Sequence, residues 1–154
     1  MILFPHMLAG AIIGSEVSNY PLLILLSFSF HYIFDKIPHW DYLPRNISEL
    51  NTKGWVLFMS KVTIDLLAGL VFIWIIFDSS PDLVRILTGT FFGILTDGLM
   101  LLNILTKQKN NLLKWIENFH RKFHFQNYEK APLQQKLFWE TTITAAVIII
   151  IFLI

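Results

Sequence analysis

The sequence predicts an all-α integral membrane protein, a single membrane-embedded domain over residues 1–154. Three observations carry that reading. Hydrophobic residues make up 55% of the chain and charged residues only 15%, whereas a soluble domain is about a quarter charged. Mean hydropathy is +0.58. The apolar residues also fall in runs close to the ~20 residues that a helix needs to cross a ~30 Å hydrocarbon core. The same composition excludes a disordered chain. Cysteine is absent, which excludes disulfides and thiolate metal sites. A net charge of +1 by itself argues neither for nor against nucleic acid.

Residues 2–14 form the first element, a short apolar helix. Pro5 suits a first helical turn. No basic residues precede the segment and no small-residue cleavage site follows it, so it reads as part of the domain and not as a removable signal. It either re-enters or crosses with a turn at 15–19, and crossing is preferred. Gly10 and Gly14 have the G-x-x-x-G spacing that lets another helix approach closely, and Gly89 and Gly93 repeat it.

Four longer spans follow. Residues 20–37 are interrupted only near their end, by His31, Asp35 and Lys36. Residues 56–77 carry Lys61 and Asp65, an i, i+4 pair of opposite charge. Residues 83–105 carry Arg85 and Asp97, and residues 137–154 carry only Glu140, in a first turn where a carboxylate suits the helix N-terminus. Each span closes its own backbone hydrogen bonds as a helix, which lipid requires. Between the last two, residues 110–125 read as an amphipathic helix lying in the membrane interface. Leu112, Ile116, Phe119 and Phe123 share one face, with basic residues beside them.

Eleven of the twelve lysines and arginines fall on the side where 20–37 ends. By the positive-inside rule that side is cytoplasmic, which implies a multi-pass protein of the inner membrane with Trp40, Trp55, Trp115 and Trp139 as interfacial anchors. All five histidines, His6, His31, His39, His120 and His124, fall at the same face. Neither the spans nor the orientation used histidine, so this shared depth is independent information.

The densest polar group is His31-x-x-x-Asp35-x-x-x-His39. An i, i+4 spacing stacks His31 over Asp35 on one helix face, and His39 continues that face by a turn if the helix extends so far. His120 and His124 repeat the spacing, with Glu117 on the same face. A histidine and a carboxylate one turn apart can bind a divalent ion. The set suffices for one ion or two, Zn²⁺ first among them. Asp65 and Asp97 lie deeper. A bare carboxylate in hydrocarbon costs at least a few kcal/mol, so each should face the interior with a partner.

The opening Phe4-Pro5-His6-Met-Leu-Ala-Gly10-Ala-Ile-Ile-Gly14 and the motif His31-x-x-x-Asp35-x-x-Pro38-His39-Trp40-Asp41 resemble the small bacterial inner-membrane metal-dependent hydrolases. The resemblance is strong over residues 4–42 and fainter around Asp97 and His120–His124. It implies that N-terminal and first-loop histidines and aspartates ligate metal: here His6, His31, Asp35 and His39. The His-x-x-x-Asp element is also similar to one in zinc-dependent phospholipase C and the related single-strand nucleases, which cleave phosphate esters.

The function expected is therefore hydrolysis at the cytoplasmic membrane interface. A divalent ion lowers the pKa of a coordinated water toward neutrality, which suits attack on an ester or phosphoester. His120 and His124 would cap the site as ligands or as acid and base. Asp97 would be a deep ligand or would orient a ligand histidine. Lys36, Arg121 and Lys122 would hold a phosphate head group. The bilayer is the expected partner and a lipid the natural substrate. No nucleic acid is expected, because topology and anionic lipid account for the basic loops. The alternatives are a metal or proton transporter using Asp65 and Asp97, and a non-catalytic metal-binding membrane module. Transport is disfavoured because the far half offers only Asp78, Asp82 and Arg85 near its rim.

Overall fold

A computed structural model describes residues 3–39, 51–123 and 131–153. They form six helices: α1 (Leu3–Glu16), α2 (Tyr20–Phe34), α3 (Thr52–Phe77), α4 (Leu83–Leu105), α5 (Asn111–Phe123) and α6 (Leu133–Leu153). No strand occurs among the described residues. Three helices, α3, α4 and α6, are long and apolar enough to cross a membrane, which makes the chain compatible with a lipid environment.

Hydropathy predicts four such spans. The fourth, α2, has 15 residues, about 22 Å at ~1.5 Å per residue. It stops at Phe34 because the backbone turns at Asp35, which caps it through its own N–H to the His31 carbonyl at 3.1 Å. Pro38 lies just beyond, and the residue before a proline disfavours the α conformation. His39 is therefore not reached by continuing the helix. Two other helices start earlier than their apolar runs. Asn51 caps α3, its side chain accepting from the Gly54 N–H at 2.8 Å. Pro132 stands just before α6, where a proline starts a helix without losing a needed donor. Glu140 thus lies two turns into α6 and is buried, so its expected place at a helix N-terminus does not hold.

The short first helix is the hub. It packs against α2, α3, α4 and α6, and most of its residues are buried on every side. That explains why it is apolar all round. Leu3, Met7, Leu8 and Ala11 meet Ile73 of α3, Ile86 of α4, and Ile143, Val147 and Ile151 of α6 in one core.

The tightest contact is between α1 and α4, which run antiparallel. A Cβ on Gly14 would fall 2.6 Å from the Ile86 Cα, and one on Gly93 would fall 2.7 Å from the His6 carbonyl oxygen. Between them, Gly10 and Gly89 face each other so closely that a Cβ on either would strike the other's carbonyl oxygen. Both G-x-x-x-G pairs thus mark real contacts, and they are each other's partner. In lipid this association rests on close van der Waals packing, which only small residues permit.

Asp65 explains how the hub is anchored. Its Oδ2 accepts from the Leu3 N–H at 2.5 Å. A carboxylate from α3 therefore satisfies one of the free N–H groups that begin α1 and complements its dipole. The sequence pairs Asp65 with Lys61; the structure carries it across to another helix. Asp65→Ala is expected to cost about 1 kcal/mol, as loss of a helix cap does. Lys61 is exposed, so Lys61→Ala should stay within ~0.5 kcal/mol. Reversible unfolding in mild detergent compares the two.

Candidate metal centre

The crossing of α1 on α4 sets His6 beside Gly93, and α2 packs on the same stretch of α4. The His31 Nδ1 lies 2.9 Å from the Gly93 carbonyl oxygen. A carbonyl can only accept, so Nδ1 carries a proton, and in the neutral ring Nε2 keeps a lone pair. Gly93 thus lets α1 come close and fixes the His31 tautomer.

That lone pair points at Asp35, one turn on, with Nε2 3.2 Å from Oδ2. Two further imidazoles converge on the same carboxylate. His6 Nε2 is 3.3 Å from Oδ1, and His120 Nε2, brought in by α5, is 3.4 Å from Oδ2. Asp97 of α4 completes the group, its Oδ1 3.9 Å from His31 Nε2. The His6 and His31 ring centres lie 4.4 Å apart at a tilt of 36°, and those of His31 and His120 lie 5.3 Å apart. His6, His31, Asp35 and His120 are buried to 2% exposure or less.

The contacts within this cluster are long for hydrogen bonds. Charge-assisted hydrogen bonds between nitrogen and carboxylate run at about 2.7–2.9 Å, shorter than all three contacts here. Among the described residues no well-formed hydrogen bond reaches either nitrogen of His6, Nε2 of His31 or either oxygen of Asp35. Burying a charge here costs several kcal/mol unless a partner offsets it. Neutral imidazoles and a carboxylate are natural donors to a divalent cation. Two groups of three can hold an ion: His6, His31 and Asp35, and His31, Asp97 and His120.

The remaining expected site residues fall as follows. His39 is fully buried, with Nδ1 2.6 Å from the Ile37 carbonyl oxygen, and belongs to neither group among the described residues. His124 lies outside the described residues. Lys36, Arg121 and Lys122 are exposed, and Lys36 Nζ sits 5.5 Å from the centre of the Phe123 ring, which joins the end of α2 to the last turn of α5.

The face of α5 that packs on the other helices is set by few residues. Leu113 and His120 point inward, while Leu112, Trp115 and Phe119 are exposed. Polar contacts choose that face, which an apolar pattern does not register. Glu117 Oε2 accepts from Asn103 Nδ2 of α4 at 2.6 Å, one turn before His120. Tyr32 of α2 packs its ring against His120, Phe119 and Phe123. Asn103 is the positioning residue that sequence reading misses. Its one signal is an amide within an apolar run.

The chain matches no known protein family, no characterised protein and no solved structure.

Proposed function

We propose that the chain is a membrane-embedded, metal-dependent hydrolase that acts on esters or phosphoesters at the cytoplasmic interface. The convergence of three imidazole nitrogens on the buried Asp35 carboxylate carries this reading. Donors placed tetrahedrally at ~2.0–2.1 Å around Zn²⁺ stand about 3.3–3.4 Å apart, and His31 and His6 stand 3.2 and 3.3 Å from the Asp35 oxygens. His31 Nε2 belongs to both candidate groups and its other nitrogen is engaged, so it serves one ion. The reading is of a single Zn²⁺.

His6, His31 and Asp35 are the ligands on this account. Three protein donors leave a position for water or substrate, as catalytic zinc sites do. When bound there, the ion supplies Lewis acidity and makes water acidic near neutral pH. Asp97 is placed to accept a proton, and His120 to give one to the leaving group. Asn103 and Glu117 hold His120 in place. The exposed Leu112, Trp115 and Phe119 of α5 favour a helix lying in the interface, with Lys114, Arg121 and Lys122 toward water and anionic head groups.

The test is hydrolysis of a chromogenic phosphodiester by purified protein in detergent. Activity should vanish with a chelator, return with Zn²⁺, and fall by about 100-fold or more in Asp97→Asn, within the 10²–10⁴-fold range of general acid–base catalysis. Metal-loaded protein with no turnover of phosphate or carboxylic esters would refute the enzyme and leave a metal-binding module.

A further inference from the structure

The two groups that can hold an ion overlap at one atom and differ in access. His31 Nε2 belongs to both, 3.2 Å from Asp35 Oδ2 on one side and 3.9 Å from Asp97 Oδ1 on the other. His6, His31 and Asp35 are each 1% exposed, so the inner group is sealed. In the outer group His31 and His120 are buried, while Asp97 keeps 21% of its side chain accessible. An accessible carboxylate in a helix that crosses a membrane faces the bundle interior or water rather than lipid. The outer group is also looser. Its 3.9 Å separation exceeds the ~3.3–3.4 Å between tetrahedral donors to Zn²⁺, whereas the inner separations are 3.2 and 3.3 Å.

We propose that His31, Asp97 and His120 form an entry site, which captures the metal ion and hands it inward to His6, His31 and Asp35. This rests on the metal-centre reading and adds the way that centre is loaded. A hydrated divalent ion does not pass bare into a buried site, because taking a charge out of water without a replacement costs several kcal/mol. Here each contact given up has a substitute within reach. Asp97 supplies the first negative charge. His31 Nε2 stays bound throughout the transfer, because both groups contain it. His120 Nε2 is 3.4 Å from Asp35 Oδ2, so it borders both positions. The closer spacing of the inner donors sets the direction of transfer. Asp97 and His120 are released as the ion settles, which leaves them for proton transfer in hydrolysis.

The test follows Co²⁺ by its visible absorption, in the full chain stripped by chelator and held in detergent. Asp97→Asn keeps the shape of the side chain and removes its charge, so it should still bind Co²⁺ stoichiometrically at the inner group. Uptake should slow by about tenfold or more, the scale on which local charge speeds the arrival of a charged ligand. Release to a chelator should slow with it, since the ion leaves by the way it came. Asp78→Asn removes the same charge from the turn before α4 and should change neither rate. His6→Ala breaks the inner group. It should keep a weaker Co²⁺ complex, which disappears when Asp97→Asn is added; if His6→Ala does not fold, the two rates decide alone. Unchanged uptake in Asp97→Asn, faster release from it, or equal slowing in Asp78→Asn overturns the entry site. So does a His6→Ala complex that Asp97→Asn leaves intact. A wild type that takes up no Co²⁺ overturns the metal centre itself, and the entry site with it.

Discussion

Asp35→Asn is expected to abolish stoichiometric metal binding while leaving the metal-free protein at least as stable as the metal-free wild type. Both halves follow from the same position. Asp35 is 1% exposed and faces His6, His31 and His120 at 3.2–3.4 Å. With an ion bound, it supplies negative charge among neutral donors. Second-sphere changes already cost 10–100-fold in metal affinity, so loss of a charged ligand should cost more than ~100-fold. Without an ion, the same carboxylate is a buried charge with no well-formed hydrogen bond among the described residues. Where neither an ion nor a protonated imidazole offsets it, burying such a charge costs several kcal/mol, and a neutral amide of the same shape removes that cost. Thermal unfolding with and without Zn²⁺ separates the two effects. The wild type should gain stability from Zn²⁺ and the variant should not. A variant less stable than the wild type in chelator would make Asp35 a structural acid.

Gly10→Ala is the second large effect. A Cβ there would meet the Gly89 backbone, 2.7 Å from its carbonyl carbon, with the carbonyl oxygen closer still. Backbone cannot rotate aside, so α1 and α4 must part. Overpacking of a tight core typically costs about 1–3 kcal/mol, and the upper end applies when two backbones clash. The consequence reaches the metal centre. His6 rides on α1, while His31 is held by the Gly93 carbonyl of α4, so separating these helices pulls the two histidines apart. Gly10→Ala should therefore lose stability and metal affinity together. Gly98→Ala on the open face of α4 should lose neither. Equal behaviour of the two variants would show that the crossing is not the organising contact.

Much of this architecture is legible from residue order, and the exceptions share a cause. Hydropathy locates α3, α4 and α6 because each is apolar over a membrane's thickness. The i, i+4 spacing of His31 and Asp35 puts them on one face, and the level of the helix ends puts His6 and His120 nearby. What escapes is what one helix does to another. Lys61 is the obvious partner for Asp65 in sequence, yet Asp65 reaches the first N–H of α1. Asn103 and Glu117 are unremarkable apart, and they choose the inward face of α5 when together. The two glycine pairs are legible as small-residue spacings, but their mutual register emerges only once α1 and α4 run antiparallel. The apolar run overstates the length of α2, because Ile37 and Pro38 extend it while the backbone has already turned.

His6, His31 and Asp35 are expected to hold one metal ion. Elemental analysis with X-ray absorption on detergent-purified wild type, beside the double variant His31→Ala/Asp35→Ala, tests it most directly. The account predicts about one Zn²⁺ per chain with nitrogen and oxygen neighbours near ~2.0–2.1 Å and an imidazole signature, lost in the variant. A folded wild type that carries no transition metal after Zn²⁺ supply, or that keeps its metal when both residues are removed, would contradict it.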